Sequence, residues 1–357
     1  MSGARPGGCA TLGDAAAVPT YALLTRPIQN RVYGRAAADL GLAELAALDR
    51  LLLGGRLGAA EPVTMGGRVY HRLECAALDD RALAVVASVS TVYAAFELSQ
   101  GSLTPIELPV LERLPDDLVT IQRYQGKTSE HLTRLMLNLA TAAAGVGPGS
   151  RATIFDPACG RGTTLNQALL HGLDALGMEI ETRAVDAYAH FLRTWLLAHR
   201  LKHRFEYRAV RRDGRTVAHV LDVELSPSRQ ELERGRPQRV RMVAADSTLA
   251  SEHLRRASAD ALVCDLPYGV QHAGRGAGRR ERGPEALLES ALPAWLEVLR
   301  PGSGACLAWN TRVLQRERLA ERMRGAGLEV LEGPPFDRFG HRVDQAIRRD
   351  VIVARRP

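Results

Sequence analysis

Two short apolar runs in this chain each end on an aspartate and lead straight into a loop. Residues 152–155 run into Asp156-Pro157-Ala158-Cys159-Gly160-Arg161-Gly162-Thr163-Thr164, and residues 261–264 run into Asp265-Leu266-Pro267-Tyr268-Gly269. A proline stands one or two residues behind each aspartate, and proline has no N–H for a sheet ladder, so neither strand continues. Gly160 and Gly162 allow a tight turn and a close approach of backbone to ligand. A helical pattern follows over 165–173, and a helix behind such a loop offers free N–H groups to an anion. Strand, glycine loop, helix and a second strand over 176–180 make a βαβ unit. That unit demands a parallel sheet and a right-handed crossover. The nucleotide-phosphate loop GxxxxGK[ST] is absent, and so is the dinucleotide print GxGxxG.

The rest of the chain is organised around that unit. Residues 1–18 are rich in glycine and alanine and read as a loose segment. Residues 19–120 read as a small N-terminal domain, with helical spacing of Leu42, Leu45, Leu48 and Leu52 over 40–53. Residues 69–73 and 83–86 are expected to be strands or short buried pieces. Residues 121–357 read as one α/β domain. Leu132, Leu135, Met136 and Leu139 repeat at three and four, an amphipathic helix with Ser129 as its cap. A long helix is expected over 181–201. The rhythm breaks at 203–238, a polar, arginine-rich stretch that reads as an inserted hairpin or lobe. Strands over 239–244, 261–264, 305–309, 328–331 and 346–354, with helices over 284–299 and 314–325, complete the domain. Ligands of open parallel sheets sit beyond the carboxyl ends of the strands, where the strand order reverses. Asp156, Glu179, Asp246 and Asp265 fall at four successive strand ends, so they make one site.

Composition constrains function less. The net charge is +7 and the pI about 9.4, and a positive field attracts phosphates. Lys127 and Lys202 are the only lysines among the 47 basic residues, however. That arginine bias has the look of genomic base composition and says little about nucleic acid. The five cysteines, at 9, 75, 159, 264 and 306, are scattered and include no CxxC pair. Neither a disulfide framework nor a cysteine-rich zinc site is expected. His131, His171 and His203 form no spaced ligand set, so no metal is expected. The longest apolar run, 83–98, falls short of the roughly 20 residues that span a bilayer. The amino end lacks the apolar stretch of a signal peptide. The expectation is a cytoplasmic protein away from membranes.

From Tyr124 onward, roughly two thirds of the length, the chain resembles the class I S-adenosylmethionine-dependent methyltransferases. More narrowly, it resembles their amino-methyltransferase branch with an (Asp/Asn)-Pro-Pro-Tyr type catalytic motif, and above all the THUMP-associated tRNA guanine-N2 methyltransferases. Asp156-Pro157-x-Cys159-Gly160-x-Gly162-Thr163 carries the likeness, with Asp265-Leu266-Pro267-Tyr268-Gly269 as the catalytic motif, leucine in its second place. Tyr124-Gln125-Gly126-Lys127-Thr128 stands where that family has a loop and helix before its first strand. The resemblance implies a Rossmann-like sheet, mostly parallel with an antiparallel last strand, and S-adenosylmethionine as cofactor. It implies that Asp156, Ala158, Gly160, Gly162 and Thr163 hold the methionine moiety and that Glu179 takes the ribose hydroxyls. Asp246 with Ser247 would read the adenine amino group, Leu165 and Ile180 would line the adenine, and Lys127 or Thr128 would meet the cofactor carboxylate. Asp265, Pro267 and Tyr268 would be catalytic.

The chemistry of that motif suits an aromatic amine, whose lone pair is delocalised into its ring. A carboxylate at Asp265 and a backbone carbonyl at 266 or 267 accept its two N–H bonds and favour the pyramidal nitrogen of the transition state. Tyr268 stacks on the planar ring. Cys159 and Cys264 read as small buried residues, not as nucleophiles for ring-carbon methylation. The first 120 residues contain no recognisable THUMP domain, and segment 203–238 departs from the compact family core. Three acceptors therefore stay open: an RNA base, guanine N2-like; the amine of a small molecule or peptide; or a DNA base, although no target-recognition domain is evident after the catalytic motif.

Overall fold

The computed structural model describes residues 18–28, 31–124, 126–226, 228–267 and 284–357. Tyr268 and the arginines at 275–282 lie outside the described residues. Strands β1 (Thr20–Thr25), β2 (Ala60–Met65), β3 (Arg68–Glu74), β4 (Val92–Ser99) and β5 (Ser102–Ile106) pair antiparallel in the order β2-β3-β1-β4-β5. Helix α1 (Arg31–Leu48), which widens into a π turn at Asp49–Leu53, and helix α2 (Asp80–Ser88) pack with this sheet. Residues 83–86 are thus helical and not a strand. The Asp79 carboxylate accepts from the Ala82 N–H and starts the helix, and Ala82, Val85 and Val86 fall on one buried face. Helical spacing behind a good cap outweighs the β-branched valines.

Helix α1 belongs to two cores. Leu45 and Leu48 are buried with the first sheet, whereas Leu40, Ala43 and Ala47 are buried with Leu132, Leu135 and Leu139 of the C-terminal half. Helices α3 (Asp117–Thr120) and α4 (Glu130–Ala143) open that half. A polar seam ties the parts together. Buried Arg134 of α4 donates to the carbonyls of Ala87 (2.9 Å) and Ser88 (3.0 Å), at the end of α2, and to Glu112 (3.0 Å). Buried Glu44 accepts from the Ser90 N–H (3.0 Å) and from Asn138 (2.7 Å). Arg134→Ala takes this donor from the Ala87 carbonyl and the Glu112 carboxylate, while Asn138 still donates to Ser88, and should lower stability by about 3 kcal/mol. A urea midpoint unchanged from the parent's would show that the seam holds nothing.

The second sheet is built from β6 (Thr153–Asp156), α5 (Thr163–Leu170), β7 (Asp174–Glu179), α6 (Thr182–Ala198), β8 (Lys202–Arg212), β9 (Arg215–Ser226), α7 (Arg229–Glu233) and β10 (Gln238–Ala244). It continues with α8 (Ala250–His253), β11 (Ala259–Asp265), α9 (Pro284–Val298), β12 (Leu299–Asn310), α10 (Arg316–Gly325), β13 (Glu329–Val330), β14 (His341–Arg342) and β15 (Arg348–Arg355). The order is β13-β15-β12-β11-β6-β7-β10-β9-β8, with β14 on β15. The five strands from β12 to β10 are parallel. The last strand, β15, is antiparallel to β12, the mostly parallel α/β arrangement expected from the sequence.

Consecutive residues of a strand face opposite layers, and the cores obey that rule. Ile154, Ala261 and Val263 are buried with α4, α5 and α6, whereas Phe155, Leu262 and Cys264 are buried with α8, α9 and α10.

Segment 203–238 is not a separate lobe. Its two long strands extend the main sheet, with β9 antiparallel to β10 from Gln238↔Leu225 to Ala244↔His219. Ala218, Val220, Leu221, Val223 and Leu225 are buried, so the hairpin joins the sheet through its apolar positions and leaves Arg204, Arg208, Arg211 and Arg215 outside. The order reverses between β6 and β11, so the carboxyl ends of these two strands flank the crevice where ligands of such sheets bind.

Candidate active site

Asp156 closes β6 and Asp265 closes β11, one on each side of the switch point. Behind Asp156 the chain turns back on itself. The Cys159 N–H donates to the Met178 carbonyl (2.9 Å), and the Gly162 N–H donates to the Cys159 carbonyl (2.8 Å). Asp156 Oδ1 accepts from the Ala158 N–H at 3.0 Å. Burial pushes the Asp156 carboxyl up to about 7, and the nearby Asp265 and Glu179 push the same way, against hydrogen bonds from Thr164 and Ala158.

Glu179 ends β7 and fastens the turn. Its Oε2 accepts from the Gly160 N–H and its Oε1 from the Glu181 N–H, both at 2.9 Å. Burial raises its pKa as well. Asp246 caps a short 3-10 turn, Ser247–Leu249, and its Oδ1 accepts from the Thr248 N–H (3.1 Å) and hydroxyl (2.9 Å). The Ser247 carbonyl accepts from the Trp295 indole at 3.1 Å.

The residues fit an S-adenosylmethionine molecule. A Cβ built on Gly160, whose φ is +53°, would meet nothing within 4 Å, so open space lies in front of the loop. The Glu179 carboxylate is held on the N–H of the same glycine. Ile180 is 58 % exposed although its side chain is apolar, which leaves its surface for a flat ring to cover. Leu165, by contrast, is fully buried under the loop, so it supports that site from below.

Four placements go beyond the sequence reading. Lys127 does not present its ammonium to the loop. Its Nζ donates to the carbonyls of Val119 (2.6 Å) and Gln122 (2.9 Å) and to Glu130, tying α3 to the start of α4. Thr128 is placed on the opposite motif, where its hydroxyl donates to Asp265 Oδ2 at 2.8 Å. The third is Arg349, in β15, which donates from Nη2 to the same Oδ2 at 3.2 Å, with side-chain exposures of 11 % and 20 % for the pair. The polar stretch 341–350 leads into the last strand and in the sequence is expected to reach the pocket, but nothing local singles out Arg349 within it, because its partner stands 84 positions away. Tyr124 was also not assigned a contact by the sequence. Its hydroxyl pairs with Thr163 Oγ1 at 2.8 Å and its ring lies under the Arg161 guanidinium, 5.1 Å from the centroid, so it braces the glycine loop.

The two motif cysteines are unsuited to nucleophilic work. Cys159 and Cys264 are buried, and that burial pushes both thiols well above their ordinary range. Among the described residues, no group of three or more His, Cys, Asp or Glu could hold a metal ion. No described helix is long and apolar enough to cross a membrane.

Asp156 makes a pH prediction. It stays protonated in the folded protein up to about pH 7, whereas the unfolded chain ionises it from about pH 4. Between those values the unfolded chain binds fewer protons, so rising pH favours unfolding. Asparagine removes that contribution. The melting temperature of Asp156→Asn, relative to the parent's, should therefore climb between about pH 4 and pH 7 and then level off. A difference independent of pH would place Asp156 in the ordinary carboxyl range.

Comparison with known proteins supplies the family. The model of the RMKL-like methyltransferase domain matches residues 120–330. None of the curated proteins compared with the chain matches it. Similar solved structures include a TehB-like SAM-dependent methyltransferase from Corynebacterium glutamicum, with 14 % identity, 58 % of this chain and 80 % of that one covered, and a TM-score of 0.32. A second is the 1,6-didemethyltoxoflavin-N1-methyltransferase of Burkholderia thailandensis, with 16 % identity, 64 % and 79 % covered, and a TM-score of 0.35. A third is a candidate RNA methyltransferase from Pyrococcus horikoshii, with 13 % identity, 68 % and 90 % covered, and a TM-score of 0.37. The family model spans more than half of the chain and both aspartate motifs, so the protein belongs to the RMKL-like methyltransferase domain family and is an S-adenosylmethionine-dependent methyltransferase.

Proposed function

We propose that this enzyme methylates the exocyclic amino nitrogen of a planar base in RNA, of the guanine N2 kind. The observation that carries this reading is the Asp265 carboxylate, held by Thr128 and Arg349 at the crevice across from Asp156. S-adenosylmethionine, when bound, supplies a methyl group on an already activated sulfonium. The protein then has to hold a weak amine in line and accept its hydrogens. Asp265 is aimed before the amine arrives, so it does not have to reorganise in the transition state. Pro267 follows within two residues and brings no N–H to compete for the carbonyls of the loop. Tyr268, next in the motif, is assigned to stack on the base. The raised thiols of Cys159 and Cys264 favour nitrogen over ring carbon as the acceptor atom.

The test is transfer of labelled methyl from S-adenosylmethionine to total cellular RNA and, separately, to an RNA-free metabolite extract. Label in RNA, mapped to an N-methylated nucleoside by digestion and mass spectrometry, is the expected result. Label confined to the metabolite fraction would replace RNA by a small amine and identify it by mass.

A further inference from the structure

A cavity of about 370 Å³ lies at the far end of β12 and is lined by Arg312, Gly340, His341, Arg342 and Arg348. Its size falls in the range of about 300–1,000 Å³ that holds small ligands. The three arginines come from different places: just beyond β12, in β14, and at the start of β15. Their guanidiniums are not neutralised. Arg312 donates to the Gln345 carbonyl, and Arg342 donates to the Asp344 carbonyl at 3.0 Å. The Asp344 carboxylate is itself taken up by the N–H groups of Ala346 and Ile347, both at 2.7 Å. Among the described residues no carboxylate pairs with Arg312, Arg342 or Arg348, and the Arg348 guanidinium has no polar partner.

An arginine-biased composition does not produce this arrangement by itself. On the same edge of the sheet Arg316 pairs with Asp350 at 2.7 Å and Arg349 with Asp265 at 3.2 Å, while Arg355 is taken up by the Ala143 carbonyl at 2.6 Å. Three exposed cations converging on one concave surface repel one another unless an anion joins them.

The cavity lies close to the catalytic aspartate. Asp265 pairs with Ala308, and Asn310, two residues further along β12, pairs with Arg349. At about 3.3 Å per residue and 4.8 Å per strand, the cavity lies on the order of 10 Å from Asp265. Arg348 and Arg349 are neighbours in β15 and point to opposite faces. One lines the cavity while the other reaches Asp265.

We propose that this cavity seats a backbone phosphodiester of the RNA strand that carries the acceptor base, with Arg312, Arg342 and Arg348 as its ligands. The proposal rests on the polynucleotide reading above and extends it. A phosphate held one or two nucleotides from the target base fixes the register of the strand and carries no base preference.

The experiment uses the full chain, a fluorescent single-stranded RNA oligonucleotide and anisotropy at a series of salt concentrations. Arg342→Gln with Arg348→Gln should weaken binding about tenfold and flatten the slope of log K against log salt by about 1.4, or 0.7 per lost contact. Arg342→Lys with Arg348→Lys keeps the charges and should restore most of both. Both pairs are exposed and should melt like the parent and bind S-adenosylmethionine like the parent in calorimetry. Unchanged affinity and slope in the glutamine pair would overturn the cavity and leave the polynucleotide reading standing. A parent protein that binds no RNA and labels only metabolites would overturn both. A 5′-mononucleotide bound as tightly as the strand, with the same arginine dependence, would make the ligand a phosphate monoester and overturn the phosphodiester assignment.

Discussion

Replacing Asp265 by alanine should lower kcat about 10²- to 10³-fold and leave the calorimetric affinity for S-adenosylmethionine within about threefold of the parent's. The carboxylate is held by two donors that converge on one oxygen, the Thr128 hydroxyl at 2.8 Å and the Arg349 guanidinium at 3.2 Å. Those bonds fix its orientation at the crevice before any acceptor binds. On the proposed reading, alanine removes the acceptor of the amine hydrogens. It also leaves a mostly buried guanidinium without that partner, which should cost about 1–3 kcal/mol of stability. Asp265→Asn separates the two effects. Asparagine offers a carbonyl to Thr128 and Arg349 and keeps the shape, but it lacks the charge and brings N–H groups toward an amine. It should fold like the parent and be nearly as slow as alanine. Arg349→Gln should lower kcat about tenfold with little change in KM, as expected for a residue that positions another. Cofactor affinity lost in proportion to rate in Asp265→Ala would move Asp265 from the acceptor to the cofactor.

The parts of this site that were legible in the sequence are those whose residues are neighbours in the chain. Asp156 to Gly162 bends because a proline and two glycines follow a short strand, and Glu179 lies one crossover later. The mostly parallel sheet followed from that βαβ unit, and the alternation of Ile154 and Phe155 between two cores follows from strand geometry. What escaped the sequence depends on pairing across the fold. Arg349 meets Asp265 only because β15 inserts antiparallel beside β12, and no local period encodes that. The hairpin of β8 and β9 reads as an insertion because its solvent-facing arginines dominate the composition, although its apolar residues continue the sheet. The helix at 80–88 was obscured by valines and is set by a single capping aspartate. Lys127 shows the converse. The family resemblance offered Lys127 or Thr128 for the cofactor carboxylate, but two carbonyls and Glu130 bind the Lys127 ammonium into the fold.

The two glycines of the loop should respond to the same substitution in opposite ways. Gly162 has φ +80°, and a Cβ there would lie 2.4 Å from the ring of Tyr188. That ring cannot move aside, because it is fully buried and its hydroxyl donates to Asn166 Oδ1 at 3.1 Å. Left-handed strain and overpacking together should cost Gly162→Ala about 2–5 kcal/mol, a large share of the roughly 5–15 kcal/mol that holds a domain folded. Its melting temperature should fall sharply, and cofactor binding should fall with it. Gly160 also has a positive φ, +53°, but its Cβ would meet nothing within 4 Å. Gly160→Ala should therefore lose only about 1–2 kcal/mol to backbone strain and remain folded. Its methyl group would project into the open space in front of the loop, where the resemblance puts the methionine moiety. Affinity for S-adenosylmethionine should drop by about tenfold or more, as overpacking of about 1–3 kcal/mol requires. A folded Gly160→Ala that bound the cofactor as well as the parent would show that this space is not where the methionine moiety lies, whereas the Gly162→Ala result concerns only the packing beneath the loop.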